Sequence, residues 1–399
     1  MKYKKLIPVI MIVIIILIAI VVFVTNKEKS LTEKYDITDK GVQEAIENNY
    51  IQNVNISDEH DGIILTVDNI IVDNRRIFIL YNIENTKHRD SFQYLSRGTF
   101  NVNDENDTEI PAIASLPDYD FDLNSKKKMY SSYDMVMSSE IDIPSNLRLD
   151  VTLYTSEANN NNKQMELPYI WSVEIPVDKE IFNNRKKTYD ANEIIDIKGQ
   201  KIVIDKLTVY PITSVLDINY DKNNTMSILG LQDIKIVSNG REYTNGIDGL
   251  TSSIKDEYNS RLYFESNYFN DNEKLNIEGS GFKGIDKNKE NIIVDVDNKT
   301  ILKAPDDNLK IDDVKNEDQL EIIFKYNGNN FSLDQTFTDS EGTIFETQGM
   351  SVIHREPETT LIYEIPKESE FVDPITIKIS NYPNIINASY KVELFDVNR

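Results

Sequence analysis

The feature that most constrains this chain is an uninterrupted apolar stretch close to its N-terminus. Residues 6–24, LIPVIMIVIIILIAIVVFV, contain no charged side chain. At about 1.5 Å rise per residue they would form a helix roughly 28 Å long, which is close to the thickness of the hydrocarbon layer of a bilayer. The stretch therefore predicts a transmembrane helix.

The flanks of this stretch predict its orientation. The arm at residues 1–5, MKYKK, carries three lysines, and basic flanks favour the cytoplasmic side. Residues from 25 onward are then expected outside the cell. A cleaved signal peptide is the alternative, but it needs a shorter apolar core and a small-x-small cleavage site, whereas this stretch runs into VFVTN. An uncleaved signal-anchor is the favoured interpretation.

Composition narrows the class of partner and the compartment. The chain holds 43 Lys and Arg against 67 Asp and Glu, a formal net charge of −24. A surface with this much negative charge repels nucleic acid, and we therefore expect no nucleic-acid partner. The chain has no Cys, which excludes a lipid-modified cysteine and leaves stability to packing alone. An exported, Cys-free chain rich in Asn, Asp, Ile and Lys is typical of a Gram-positive cell surface.

Residues 25–49 predict a polar tether that ends in a short helix. The helix is expected over 38–49, with Thr38 as its N-cap. Val42, Ala45 and Ile46 fall on one face of that helix, so this face is expected to pack against a core.

Beyond residue 50 one strand pattern occurs three times. Each copy is an alternating apolar strand, a polar turn and a second such strand, as in a β-hairpin. The copies span 64–83, 202–220 and 309–326. Each is followed by a short strand and a further alternating strand, which is the way a β-sandwich closes. The sequence therefore predicts a mainly β protein: a transmembrane helix, a short helix and three tandem Ig-like β-sandwich modules.

Polar and proline-containing stretches predict the module boundaries. NNRKK at 183–187 and APDDN at 304–308 read as linkers, which gives domains at 50–180, 190–303 and 306–397. An Asn-rich insertion at 157–163 is expected to be the exposed tip of a hairpin.

Several short motifs resemble a known family. DKGV at 39–42, DGI at 61–63, TVD at 66–68 and Arg76 before ILY resemble the bacterial domain of unknown function numbered four-one-seven-nine. The stretch from Gly199 through Val209, together with NKTILKAPD at 298–306, is similar to its usual partner, the domain numbered five-six-four-three. The resemblance covers nearly all of the predicted exported part, and its motifs are strand and turn patterns.

That resemblance implies a type of protein more than an activity. Members look like single-pass membrane proteins of Gram-positive bacteria with Ig-like exported domains, linked by analogy to anti-sigma factors. Here only residues 1–5 are predicted to be cytoplasmic, which is too short for a folded sigma-binding module. The family supplies no catalytic residue and no cofactor.

The residues themselves predict no enzyme. There is no Cys, and His occurs only at 60, 88 and 354. His60 lies in SDEHD, which contains the residue types of a catalytic triad, but neighbours along a loop do not hold triad geometry. We expect a solvated turn histidine there. Trp171 lies in an alternating strand and is expected to be a core anchor, with sugar stacking as the alternative.

Metal chemistry has one candidate. Asp118, Asp120 and Asp122 alternate as in the first half of a calcium loop. An EF-hand needs Gly at its sixth position and Glu at its twelfth, where this chain has Leu123 and Met129. An EF-hand is therefore excluded, and the three carboxylates remain a candidate for an irregular calcium site. Similar acidic runs at 104–107 and 295–298 are expected to be turns.

The sequence as a whole predicts a non-enzymatic, single-pass envelope protein with an exported binding or sensing ectodomain. An envelope protein or a wall polymer is the expected partner. The alternative is an accessory regulator of an extracytoplasmic-function sigma-factor system that acts through a membrane partner.

Overall fold

Strands make up most of the structure. The computed structural model describes residues 29–86, 93–116, 128–157, 164–183, 185–247, 250–270, 274–316, 319–367 and 369–395. They form two compact units, Met1–Arg185 and Lys186–Arg399. The predicted mainly β class is confirmed. The membrane helix predicted at 6–24 lies outside the described residues, and within those residues no helix has the length and apolarity to cross a bilayer.

The described part of the first unit begins with two short helices, α1 (Leu31–Lys34) and α2 (Lys40–Glu47). Asp39 caps α2, because its carboxylate accepts a hydrogen bond from the Val42 amide at 2.9 Å. The predicted helix is therefore present, but the prediction of Thr38 as its cap was wrong by one residue.

Two sheets form the rest of the first unit. Their strands are β1 (Gln52–His60), β2 (Ile63–Val72), β3 (Arg76–Asn85), β4 (Gln93–Asn103), β5 (Ala112–Leu116), β6 (Lys128–Met137), β7 (Asn146–Glu157) and β8 (Gln164–Pro176). The strand orders are β1-β2-β3-β6-β5 and β4-β7-β8. Trp171 on β8 is fully buried and donates its indole N–H to the Ile63 carbonyl at 2.9 Å, which joins the two sheets. Its predicted role as a core anchor is confirmed.

The second unit is built entirely from strands and turns in its described part. Its first strands are β9 (Lys187–Ile197), β10 (Gln200–Val209), β11 (Ser214–Tyr220), β12 (Met226–Gln232), β13 (Lys235–Ser238), β14 (Arg241–Thr244), β15 (Ser252–Asp256), β16 (Asn259–Phe264) and β17 (Lys274–Asp286). After one 3-10 turn at Lys287–Lys289 come β18 (Asn291–Asp295), β19 (Thr300–Lys303), β20 (Leu309–Asn316), β21 (Leu320–Asn327), β22 (Ser332–Thr338), β23 (Ile344–Glu346), β24 (Gly349–Arg355), β25 (Glu358–Ile365), β26 (Ile375–Asn381) and β27 (Ile385–Phe395).

These strands enclose two hydrophobic cores. The first core lies between the sheet β15-β16-β11-β10-β9 and the sheet β12-β17-β13-β14, to which β27 adds by pairing with β17. The second core lies between the sheets β19-β18-β26-β22-β23 and β20-β21-β25-β24. Both cores are filled by alternating residues of the facing strands, as the period-two pattern of the sequence requires.

One strand arrangement recurs three times. The sequence copies form the hairpins β2-β3, β10-β11 and β20-β21, and a later strand (β6, β16 or β25) pairs with the second strand of each hairpin. The chain then crosses to another sheet as β7, β17 or β26. The three predicted hairpins are confirmed.

Two strands of the second unit, β18 and β27, belong to a different core from the strand that precedes each of them in the chain. β18 follows β17 along the chain but pairs with β26, whereas β27 follows β26 but pairs with β17. The chain therefore crosses from one core to the other twice, which explains why Lys186–Arg399 forms one compact unit. The module boundaries at 190–303 and 306–397 stay a prediction.

Candidate functional site

The second unit contains a groove, which we call the β12–β15 groove, between two strands that end their sheets. β12 is the terminal strand of one sheet and β15 is the terminal strand of the facing sheet. The cavity between them has a volume of about 470 Å³, within the range of cavities that hold ligands in proteins.

The floor of the groove is the core-facing side of β15 and β16. Ser252 pairs with Leu262, and Ile254 pairs with Ser260. Leu262 belongs to the first core, and paired residues point to the same face, so Ser252 and Ile254 also face the core side. Yet Ile254 is 81% exposed, because none of the described strands of the facing sheet covers it. The groove is thus an uncovered part of the sandwich interior.

One wall of the groove is β12, whose pairing with β17 is interrupted by a bulge. The register shifts between Ile228 and Gly230. Ile228 packs against the first core and Leu229 against the second, since successive residues of a strand point to opposite faces. A Cβ added to Gly230 would meet no atom within 4 Å. Glycine inside a strand often marks a bulge, and this position lies at one.

The opposite wall comes from the sheet around the second core. Lys378 and Ser380 on β26 and Asp334 on β22 line the groove. The neighbouring Ile377 and Ile379 are buried in the second core, so Lys378 and Ser380 lie on the outer face of that sheet. A ligand in the groove would therefore contact an apolar floor and a polar outer wall.

Acidic side chains outnumber basic ones around the groove. The charged residues that line it are Asp221, Asp256, Glu257, Asp334, Lys287 and Lys378. The Tyr258 amide and the Asn259 side chain donate to the Asp256 carboxylate and lower its pKa. The Asn223 amide lowers the pKa of Asp221 in the same way. Both carboxylates therefore stay ionised below the usual titration range of aspartate.

Both lysines of the groove already have oxygen partners. Lys378 Nζ lies 3.9 Å from a carboxylate oxygen of Glu290, and Lys287 Nζ donates to the Lys222 carbonyl at 3.0 Å. Burial raises the pKa of Tyr220, which also lines the groove, to about 12, so its phenol is neutral. Lys287 and Lys201 lie near Asp221, and Lys222 lies near Asp256, so these carboxylates also have basic neighbours. The groove therefore presents apolar surface and a lining with more carboxylates than lysines, a combination that suits the binding of a cationic, partly apolar group.

The calcium candidates predicted from the sequence, Asp118, Asp120 and Asp122, lie outside the described residues. Within the described ranges no three His, Asp or Glu side chains are grouped so as to hold a metal ion. The similar acidic run at 104–107 forms a turn, in which Asp104 accepts from the amides of Asn106 and Thr108. The run at 295–298 is also a turn, closed by the Asn298 amide on Asp295.

His60 is not the solvated turn residue that the sequence predicted. It is the last residue of β1 and is half-buried. Its ring stacks on Tyr169 with 5.3 Å between ring centroids and meets Trp171 edge-on at 5.5 Å. Two rings on the neighbouring strand β8 shield the imidazole, which a local sequence window around His60 does not reveal.

The residue types around His60 do not form a catalytic triad. Asp58 Oδ2 lies 3.2 Å from His60 Nε2 and also accepts the Ser172 amide at 2.8 Å. The Ser57 hydroxyl bonds Thr66 Oγ1 at 2.9 Å. Ser57 and His60 are three residues apart, and successive residues of a strand point to opposite faces. Serine and histidine are therefore on opposite sides of β1, and nucleophilic catalysis by this trio is excluded.

Sequence reasoning missed the β12–β15 groove. The segment SSIKD at 252–256 has a single apolar residue, and nothing local shows that this residue faces an uncovered core. One usable signal is Gly230 within the otherwise apolar run SILGL at 227–231, since glycine in a strand interior often marks a bulge.

Comparisons with known proteins identify domains but no activity. No curated protein matches the chain. One similar solved structure is described as the crystal structure of the conserved domain protein from Bacillus anthracis, at 11% sequence identity. The alignment covers 88% of this chain and 92% of that one, with a TM-score of 0.41.

Two family matches agree with the resemblance noted in the sequence. Residues 186–313 match the family of unknown function DUF5643, and this match begins where the second compact unit begins. Residues 1–85 match the domain of unknown function DUF4179, which ends at the last residue of β3. The chain therefore belongs to the proteins in which a DUF4179 domain is followed by a DUF5643 domain.

Proposed function

We propose that this chain is a membrane-anchored binding protein of the Gram-positive cell envelope, without enzymatic activity. In this proposal residues 6–24 hold it in the membrane, and Ig-like β-sandwich modules form its extracellular part. The β12–β15 groove is its binding site. One observation carries the proposal. Ile254, on the terminal strand β15, points to the core side of its sheet and is nevertheless exposed, next to the terminal strand β12 of the facing sheet.

The groove supports binding better than catalysis. Its floor offers apolar surface and its walls offer strand backbone, as peptide-binding grooves on β proteins do. Among the described residues that line it there is no histidine, and two of its four carboxylates, those of Asp221 and Asp256, are held by hydrogen bonds within local turns. An accessory regulator of a sigma-factor system would use such a groove for a membrane partner, so the identity of the bound molecule separates these two roles.

A single-cysteine experiment tests export and binding together, because the chain has no Cys of its own. Ile254→Cys places a thiol in the groove. Ile194→Cys is the matched control, since Ile194 is 61% exposed on β9, the opposite terminal strand of the same sheet. Intact cells producing the full chain are treated with a membrane-impermeant maleimide that carries a photo-activated diazirine.

The proposal predicts that both variants react with the maleimide and that only Ile254→Cys forms a discrete crosslinked species on illumination. A crosslinked wall polymer or envelope protein supports the binding role, and a membrane component of a sigma-factor system supports the regulator. Absence of labelling at both positions contradicts export. Labelling of both without a crosslink from position 254 contradicts binding in the groove.

A further inference from the structure

We propose that the occupant of the β12–β15 groove is an extended, basic peptide segment that adds to β12 as a further strand. This inference rests on the proposed function and names the class of partner. Three observations carry it: the free edge of β12, the missing cover over Ile254 and the excess of acidic side chains around the groove.

The edge of β12 has one strand neighbour in the described structure. β12 pairs with β17 through Met226–Gln232, and no other described strand pairs with it. Backbone N–H and C=O groups on the other side of such a strand are a template for another extended chain. Gly230 near the middle of β12 has no side chain, and the space that a side chain would enter is open and lines the groove, so a larger residue there would fill part of the groove.

The neighbouring strand β14 shows what an added strand would do. β13 also pairs with β17, on the side where β12 lies, and β14 pairs with the outer edge of β13. Tyr243 on β14 is fully buried in the first core, so β14 covers the part of the core beside β13. No described strand takes the corresponding place beside β12, where Ile254 stays exposed. A peptide strand there would continue the line of β14 and cover Ile254.

Charge selects the kind of peptide. Four carboxylates line the groove against two lysines. Of these lysines, Lys287 lies near Asp221, and Lys378 is 3.9 Å from a carboxylate oxygen of Glu290, which is not part of the lining. A strand that turns alternate side chains inward would place apolar residues over Ile254, while the intervening residues would lie near Asp221, Asp256 and Asp334. The favoured segment therefore alternates apolar residues with lysine or arginine.

A synthetic peptide tests the inference directly. The probe is a capped heptapeptide of alternating lysine and valine, which matches the 7 residues of β12. A glutamate–valine heptapeptide is the charge control. Two further peptides carry N-methyl groups on either all valines or all lysines, which removes alternate backbone donors. Binding to the full chain in mild detergent is measured by fluorescence anisotropy at low salt.

The inference predicts that the lysine–valine peptide binds and that the glutamate–valine peptide does not. Because an added strand directs every second N–H to its partner, one N-methylated peptide should bind at least about tenfold more weakly, and the other about as well as the unmodified peptide. Gly230→Leu and Ile254→Ser should weaken binding by a similar factor, whereas Ile194→Ser should not. Ile254 is mostly exposed, so its substitution leaves the fold intact even if Gly230→Leu does not.

The remaining outcomes separate this inference from the proposed function. If both N-methylated peptides bind like the unmodified one while Gly230→Leu blocks binding, strand addition is wrong and groove binding stands. Equal binding of the glutamate–valine peptide overturns the basic character of the partner. If the lysine–valine peptide does not bind, the inference fails, and the crosslink from position 254 still decides the proposed function by itself.

Discussion

Arg76 and Asp134 form a buried ion pair that joins β3 to β6. Arg76 Nε donates to Asp134 Oδ1 at 2.7 Å, and its Nη2 donates to the second carboxylate oxygen. Nη1 bonds Asp39 at 2.8 Å, and Asp39 also caps α2. Burial alone would lower the pKa of Arg76, but the two carboxylates outweigh it and raise that pKa. Through Asp39, Arg76 thereby links the N-terminus of α2 to the central strands.

Removing one partner should destabilise the first unit strongly. Asp134→Leu leaves the Arg76 charge buried without the carboxylate that accepts from two of its nitrogens, and such losses cost about 3 to 5 kcal/mol. The double variant Arg76→Met/Asp134→Leu should recover much of that loss, because position 76 then holds no buried cation that has lost its carboxylate. Urea unfolding followed by fluorescence reports on this unit, since the chain's one tryptophan, Trp171, is buried in it. Equal losses in the single and double variants would contradict the account.

Gly281 should tolerate no side chain, because it lies where β17 meets β27. Its φ is +143°, and an added Cβ would fall on the Ile386 carbonyl oxygen, a backbone atom that has little room to move. Gly240 also has a positive φ, of +74°, but open space around it. Gly240→Ala should therefore cost about 1 to 2 kcal/mol from its backbone conformation alone, and Gly281→Ala clearly more. Calorimetry of the full chain compares the two, and equal shifts in Tm would refute the crowding argument.

Asp217 should make the stability of the second unit depend on acid pH. Burial opposes its ionisation, but hydrogen bonds from Lys255 at 2.6 Å and Arg261 at 3.0 Å outweigh burial and lower its pKa. A lowered folded-state pKa contributes stability above the unfolded value of about 3.9, and that stability is lost as the pH falls through the folded value.

The matching measurement compares the free energies of unfolding of the native chain and Asp217→Asn between about pH 6 and pH 2. The advantage of the native chain should be constant down to about pH 5 and shrink below it. An advantage that stays the same to the lowest pH would show that the ionised carboxylate contributes nothing.

The parts of the fold that the sequence predicts are those set by neighbouring residues. The hairpins β2-β3, β10-β11 and β20-β21 follow from apolar alternation on both sides of a polar turn, and α2 follows from a capped amphipathic run. The pairing of β18 with β26 and of β27 with β17, which takes the chain from one core to the other and back, was not predictable in this way. β27 pairs with β17 across more than a hundred residues, and its alternation fits any sheet with a free edge.

The contacts of single side chains and the β12–β15 groove were harder to predict than the fold. Arg76 was noted in the sequence, but its partner Asp134 lies in a strand that pairs with β3 only after a long insertion. The β12–β15 groove exists because no described strand of the facing sheet packs over Ile254, and the residues around Ile254 in the sequence do not reveal which strands of the facing sheet lie opposite it. His60 was misjudged for the same reason, because the rings that shield it lie on β8.

Hydrogen exchange of β12 tests the central claim most directly. The full chain is compared with and without saturating lysine–valine peptide, and backbone exchange is followed in β12 and in β9, the terminal strand on the far side of the facing sheet. Strand addition in the groove predicts slower exchange within Met226–Gln232 and no change within Lys187–Ile197. Unchanged exchange in β12 while the peptide is bound, or equal slowing in β9, would contradict it.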